Sequence, residues 1–309
     1  TATGTFTTVT ADTIKLSDGA DIKTVNADDN GVGGTINANN LTLAEGASVT
    51  MTAAQNDSFG GTITAEGTNT ITLSNAVSAT GRANIEAYAL ADGDQTFTLG
   101  AAGQDVTTGS GAVVIDTGAI ADITSAALDG SAATTSMKVI VAANTDISDA
   151  VIKGTAGNQD ANYTIDIATD ADAITMTIAQ NALLGTVNDG GDAVITLSDA
   201  GAVTANADVG KYVLADGGGT IITTGTNGQN ITTGNGADTI DVAARTATGI
   251  FTTSATSTIK LSDGANITSV DAEGNGAGTA FTANNLTLVD GASVTMTAAQ
   301  NNSFSTATA

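Results

Sequence analysis

Apolar and polar residues alternate along much of this chain. Residues 48–52, 70–73 and 163–167 each place Ile, Val, Leu, Met or Tyr between Thr, Ser or Asp residues. A strand with one buried face requires a period of two, and β-branched side chains suit its pleated surface. Turn-forming clusters such as Ser17-Asp18-Gly19 and Ala91-Asp92-Gly93 separate the runs at intervals of about eight to twelve residues. The pattern predicts an all-β fold.

One stretch of the chain returns almost unchanged 245 residues later. Residues 13–59 and 258–304 align without gaps and are identical at 33 of 47 positions. A weaker copy lies between them, so that the same short motif surrounds Met51, Met176 and Met296. The sequence therefore predicts tandem modules of about 122 residues, cut from a longer array. We define module A as residues 1–125, module B as 126–247, and the partial module A′ as 248–309, which repeats residues 3–64.

Two architectures fit short strands at even spacing. One is a β-solenoid or β-roll, whose turns stack on one another, and the other is a string of β-sandwiches. The chain has 37 Gly, no Trp and only 3% aromatic residues, which favours the solenoid, because a sandwich core usually holds bulky aromatic anchors. The alternation also predicts which side chains point inward. These are Val49, Met51, Ile71, Leu73, Ile174, Met176, Val294 and Met296.

The charge and composition exclude several classes of function. Eight Lys and Arg stand against 32 Asp and Glu, a formal charge of −24, so phosphate backbones and anionic lipids would be repelled. We therefore expect no nucleic-acid partner and no binding to membrane surfaces. No run approaches the ~18 apolar residues of a membrane helix, so we also expect no insertion into membranes. The chain has no His and no Cys, which removes the commonest general base, thiolate metal sites and disulfides.

Residues 224–241 have a chemical pattern of their own. They read TGTNGQNIT followed by TGNGADTID, two blocks of nine residues. This resembles the nonapeptide G-G-x-G-x-D-x-U-x of RTX proteins, in which the loops bind calcium and the apolar residue enters a parallel β-roll. The second block matches the nonapeptide at Gly234, Gly236, Asp238 and Ile240. The first block has Gln229 where the ligand Asp belongs.

This resemblance implies calcium as the ligand. The candidate metal residues are Gly234, Asn235, Gly236, Asp238 and Asp241. The alternative is that Gly and Asn form tight solenoid corners without an ion. The acidic loop at residues 26–31, repeated at 271–276, offers oxygen ligands for a hard cation or is a solvated turn.

The Thr-, Ala- and Asp-rich repeats resemble the repetitive regions of RTX-type, type I-secreted bacterial surface proteins, namely giant adhesins and RTX-type surface-layer proteins. The resemblance implies a secreted, non-enzymatic structural protein of the bacterial cell surface, stabilised by calcium, in an adhesin stalk, surface layer or filament. Its partner would be tandem copies of the module, or other copies of the chain, joined head to tail. The alternative is a polysaccharide-degrading or carbohydrate-binding β-helix protein, for which Asp170 and Asp172 are a candidate carboxylate pair. The scarcity of aromatic residues gives little support to carbohydrate binding.

Overall fold

A computed structural model describes residues 1–124, 126–154, 163–168, 173–187, 193–225 and 228–308. By their contacts they divide into two compact units. Unit 1 comprises residues 1–142 and 149–166, and unit 2 comprises residues 143–148 and 167–309. The boundaries of these units differ from those of the sequence modules, which are defined by repetition and not by contacts.

Unit 1 is built from short strands and one helix. The helix is α1, Ala53–Ser58. The strands are β1 Gly4–Phe6, β2 Thr13–Leu16, β3 Val25–Ala27, β4 Asn40–Leu43, β5 Ser48–Met51, β6 Ile63–Thr64, β7 Thr70–Leu73, β8 Ala79–Thr80, β9 Ala87–Ala89, β10 Gln95–Thr98, β11 Asp105–Thr107, β12 Ala112–Asp116, β13 Ala127–Asp129, β14 Ser136–Val141, β15 Val151–Lys153 and β16 Tyr163–Ile167, whose last residue belongs to unit 2.

Unit 2 repeats this construction with two helices. They are α2, Ile178–Asn181, and α3, Ala298–Ser303. The strands are β17 Ile174–Met176, β18 Leu184–Val187, β19 Val194–Leu197, β20 Ala202–Thr204, β21 Lys211–Val213, β22 Ile221–Thr223, β23 Asn230–Thr232, β24 Thr239–Val242, β25 Thr246–Thr252, β26 Thr258–Leu261, β27 Asn266–Ala272, β28 Asn285–Leu288 and β29 Thr306–Thr308.

Alternate strands along the chain belong to different sheets. In unit 1 one sheet has the order β15-β13-β11-β9-β7-β5, and another includes β16-β14-β12-β10-β8. Unit 2 contains β17-β19-β21-β23-β25-β27 and β20-β22-β24-β26-β28-β29. The registered strand pairs are parallel, and Ile71, for example, pairs with Tyr88 one turn later. Each turn thus adds one strand to each sheet. This confirms the predicted β-solenoid, because sandwich strands pair antiparallel.

The predicted inward face forms the core. Six of the eight predicted residues are buried, and each is at most 1% exposed: Val49, Met51, Ile71, Leu73, Ile174 and Met176. The other two, Val294 and Met296, are half-buried. No later strand of the described chain pairs with their segment, whereas β7 pairs with β5 and covers Val49 and Met51.

The long repeat folds twice in the same way. Strands β2 and β4 and helix α1 recur 245 residues later as β26, β28 and α3. Side-chain contacts recur as well: Thr52 Oγ1 donates to Gly33 O at 2.5 Å, and Thr297 Oγ1 donates to Gly278 O at 2.5 Å. The sequence identity therefore extends to individual hydrogen bonds.

Candidate functional site

Each module turns one corner through a short helix that begins with the same cap. Thr52 is the N-cap of α1: its hydroxyl accepts from Gln55 N at 3.2 Å, while Gln55 Oε1 accepts from Thr52 N at 3.0 Å. Thr177 with Gln180 and Thr297 with Gln300 repeat this reciprocal capping box. The signal Thr-x-x-Gln occurs in all three copies and is the sequence pattern from which these caps could have been predicted.

The same glutamines fasten the helix to the previous turn. The Nε2 group of Gln55 donates to Ile22 O, that of Gln180 to Ile147 O, and that of Gln300 to Ile267 O, each at 2.8 Å. Their side chains are at most 5% exposed. Because a buried carbonyl without a donor is costly, these three bonds fix the distance between successive turns.

The asparagine after each glutamine holds a buried tyrosine in the first two copies. Asn56 Oδ1 accepts from the Tyr88 hydroxyl at 3.0 Å, and the Tyr88 oxygen accepts from Arg82 N at 2.9 Å. In module B, Asn181 and Tyr212 repeat the pair at 2.9 Å. These polar groups stabilise the interior of the solenoid and are not accessible as a reactive site.

Both tyrosines should make the fold sensitive to alkali. Burial raises the pKa of Tyr212 to about 12, and burial also raises the pKa of Tyr88. A raised folded-state pKa stabilises the fold fully below the unfolded value of about 10, and this contribution is lost as the pH rises towards 12. We expect thermal melting temperatures to fall across this window, with the Tyr88→Phe/Tyr212→Phe variant falling less. Phenolate absorbance that rises near pH 10 in the still-folded protein for every tyrosine would contradict this.

The RTX-like block forms two strands that belong to different sheets. β23 pairs with β21 and β25, whereas β24 pairs with β22 and β26. Ile231 and Ile240, which occupy the same position in the two blocks, are both fully buried. Each nine-residue block therefore supplies half of a solenoid turn and one apolar residue to the interior.

The glycines of the block lie where two turns of backbone come close together. A Cβ atom on Gly234 would lie 2.2 Å from Ala215 O, and one on Gly236 would lie 2.3 Å from Gly218 N. Any side chain would force the two turns apart. Close packing of the corners is thus a sufficient physical reason for these glycines.

The five predicted metal residues do not form one ligand set. Asp238 is fully buried, and its two carboxylate oxygens accept from Thr220 N and Gly234 N, each at 3.0 Å. Asp241 lies on the opposite, outward side of the strand and pairs with Lys260 at 2.6 Å. Asn235 is exposed. Calcium takes six to eight oxygen ligands, so an ion bound here would need oxygen ligands beyond these five residues.

Replacing Asp238 distinguishes two roles of its carboxylate, that of a calcium ligand and that of an acceptor of backbone hydrogen bonds. In Asp238→Asn one oxygen becomes an amide nitrogen that cannot accept from a backbone N–H. We expect the free energy of unfolding of unit 2 to fall by about 1–3 kcal/mol, equally in calcium and in chelator. Chemical denaturation under both conditions measures this. The half-exposed Asp241→Asn is the control and should change little. A loss confined to calcium-containing buffer would contradict the acceptor role.

The acidic loop at residues 26–31 connects neighbouring turns through the hydrogen bonds of its carboxylate. Asp28 Oδ2 accepts from Thr8 Oγ1 at 2.6 Å and from Asn37 N at 2.8 Å. Hydrogen bonds from Thr8, the largest effect, lower the pKa of Asp28. In module A′, Glu273 Oε1 accepts from Thr253 Oγ1 at 2.8 Å in the same way. The carboxylate therefore has the same neighbours in both copies although the residue type differs.

Two further glutamines, Gln104 and Gln229, bond to backbone groups in the interior, and no sequence pattern noted above predicts them. Gln104 Oε1 accepts from Gly100 N at 2.9 Å and its Nε2 donates to Ile85 O at 2.7 Å. In module B, Gln229 bonds to Gly225 N at 2.6 Å and to Val209 O at 3.1 Å. Gln229 is the residue that replaces Asp in the first nonapeptide block, and here an amide fills the inward position.

Shallow grooves between turns contain few charged groups. One groove of about 560 Å³ includes a single carboxylate, that of Asp216, and another of about 520 Å³ includes Arg82, which pairs with Asp57 at 3.3 Å. Within the described ranges no three His, Cys, Asp or Glu residues cluster as metal ligands would. Asp170 and Asp172 lie outside the described residues. Among the described residues, no helix has both the length and the hydropathy needed to cross a bilayer.

Comparison with family models, with curated proteins and with solved structures finds no match.

Proposed function

We propose that this chain is a structural, non-enzymatic segment of a secreted bacterial surface protein, an adhesin stalk, surface layer or filament. The observation that carries the proposal is the repeat that rebuilds the same contacts, as in the bonds from Gln55, Gln180 and Gln300 to the preceding turn. Selection of the same interior contacts in each copy is expected when the repeated unit itself, stacked many times, is the working part of the molecule.

The outer surface supports the same proposal. On strands β5, β7 and β9 the outward side chains are small or hydroxylated, as in the row Thr50, Thr72 and Ala89. Most carboxylates lie at the corners instead, where Asp92 and Asp94 accept from backbone amides of the next turn. Such a surface is soluble and unreactive, as a spacer or layer requires. The grooves do not favour the polysaccharide-degrading alternative, since they hold few charged groups.

We propose tandem or self-associated modules as the partners, joined head to tail. The ladders leave free edges at both ends of the described chain, because β1 pairs only with β3, and β29 only with β28. Unpaired strand edges of this kind are templates for further pairing. Light scattering across a range of concentrations tests self-association of the chain.

Calcium stabilisation stays a prediction that rests on the charge and on the resemblance of residues 224–241. A charge of −24 on a folded chain is self-repelling, and bound cations would reduce the repulsion. We expect melting temperatures to be higher in calcium than in chelator. Equal melting temperatures would rule out a structural role of calcium.

The location of the protein provides the test of the whole proposal. An antibody raised against the folded chain should label intact cells that carry the gene, and protease added outside those cells should remove the label. A cytoplasmic protein of the same cells is the control. Labelling only after the cells are lysed would contradict a surface role.

A further inference from the structure

The corner at helix α3 in module A′ is more exposed than the equivalent corners at α1 and α2, which the next strand covers. We call residues 292–304 the A′ face. In module A the equivalent corner is more deeply buried, and its Ala53 and Asn56 are at most 1% exposed. In the A′ face the matching Ala298 and Asn301 are exposed, and Met296 is half-buried. The sequence of the two corners is nearly the same, so the difference lies in what covers them.

Residues 69–75 cover the corner in module A. β7 pairs with β5 in parallel, which places Ile71 beside Val49 and Leu73 beside Met51. After the strand, Ser74 N donates to Met51 O at 2.9 Å. The Asn75 side chain then accepts from Ala53 N, the first N–H of the helix, at 2.9 Å.

Residues 193–199 cover the corner in module B with the same chemistry. Ile195 pairs with Ile174 and Leu197 with Met176. Ser198 N donates to Met176 O at 2.9 Å. Asp199 Oδ1 accepts from Ile178 N, the first N–H of α2, at 2.7 Å.

The two covering segments share a sequence pattern, and the A′ face has the backbone atoms to which a segment of this pattern would bond. The pattern is Ile-Thr-Leu-Ser followed by Asn or Asp, in which Ile and Leu point inward and the last side chain accepts from the helix. Within the described chain, neither Met296 O nor Ala298 N has a hydrogen-bond partner. These are the atoms that correspond to Met51 O and Ala53 N in the covered copy.

We propose that the A′ face is a docking site for a strand of this pattern supplied by another module. The proposal rests on the tandem-module function and names the segment through which the modules join. Residues 60–80 carry the pattern together with a single charged residue, Glu66, so they could approach a strongly acidic chain with little repulsion. Parallel strand addition would satisfy the free backbone groups, and Ile and Leu would cover Met296.

A synthetic peptide with the sequence of residues 60–80 tests this on the full chain. The four methionines serve as probes when their methyl groups are labelled for NMR. Met51, Met137 and Met176 are at most 1% exposed, whereas Met296 is half-buried. We expect saturable binding that shifts the Met296 signal and leaves the other three unchanged. Hydrogen exchange should show new protection at Ala298.

Two substitutions, one in the peptide and one in the chain, test the hydrogen bond between the Asn75 side chain and the N–H of Ala298. The Asn75→Ala peptide should bind roughly fivefold to tenfold more weakly, the loss expected for one hydrogen bond. On the chain, Ala298→Pro removes only the accepted N–H, since Pro suits the first helical position and the preceding Thr297 is extended. It should weaken binding by a similar factor, and combining both changes should add little to either.

The control peptide Ile71→Asn/Leu73→Asn should show no binding. Unchanged Met296 signals at saturating peptide, or equal binding of the control peptide, would overturn the docking site. Such a failure leaves the surface location of the protein untouched. Conversely, a chain that binds the peptide at the A′ face but is not on the cell surface would keep the docking site and reject the proposed function.

Discussion

The Met51→Ala variant is expected to lose about 2–5 kcal/mol of the unfolding free energy of unit 1. Met51 is fully buried and lies beside Leu73 on the next turn, so removal of its side chain leaves a cavity lined by two turns. Met176 has the same surroundings in module B, next to Leu197. Met176→Ala should therefore destabilise unit 2 by a similar amount. Chemical denaturation followed by hydrogen exchange at each strand measures the two units separately.

Met296→Ala provides a matched control in the same local sequence. The motif Val-Thr-Met-Thr-Ala-Ala-Gln-Asn surrounds both Met51 and Met296, yet Met296 is half-buried. Its replacement should cost roughly 1 kcal/mol or less, since little buried apolar area is lost. Equal losses for Met51→Ala and Met296→Ala would mean that the open A′ face does not describe the protein in solution.

The outline of the fold could be predicted because two signals in the sequence agree. Alternation places Ile71 and Leu73 on one face, and a strand exposes its two faces in turn. The close repeat of residues 13–59 further indicated that whatever fold forms there forms twice. Abundant Gly and scarce aromatic residues then favoured stacked turns over sandwiches. All of these are properties of side-chain type and spacing, which a sequence displays directly.

The roles of the polar residues could not be predicted in the same way. A glutamine is usually exposed, and only the fold shows that the side chains of Gln55 and Gln104 bond to buried backbone groups. Asp238 was predicted as a calcium ligand because the nonapeptide specifies residue types. It does not specify whether the carboxylate oxygens are free, and here Thr220 N and Gly234 N donate to them.

Gln104→Met is expected to destabilise unit 1 by about 2–4 kcal/mol although it barely changes the volume of the side chain. Gln104 is 1% exposed, and its amide supplies the acceptor for Gly100 N and the donor for Ile85 O. Methionine supplies neither, so two buried backbone groups lose their partners, each at about 1–3 kcal/mol. Gln104 Nε2 also donates to Arg82 O at 3.0 Å, but that oxygen keeps a second donor, Ile85 N at 3.0 Å. Gln229→Met should have the same effect in unit 2. Chemical denaturation of the full chain, followed by hydrogen exchange at the strands of each unit, measures both.

Gln104→Glu distinguishes this bonding role from packing, because its effect should depend on pH. The ionised carboxylate can still accept from Gly100 N, but it faces the Ile85 carbonyl oxygen, which raises the folded-state pKa of the new side chain. The protonated form can donate to that oxygen. Stability should therefore be greatest below the unfolded pKa of about 4.3 and be lost as the pH rises through the raised folded-state value. Gln104→Met, measured over the same range, should keep a constant deficit relative to the native chain. A Gln104→Glu variant whose deficit is equally constant would show that shape, and not the hydrogen bonds, places a glutamine here.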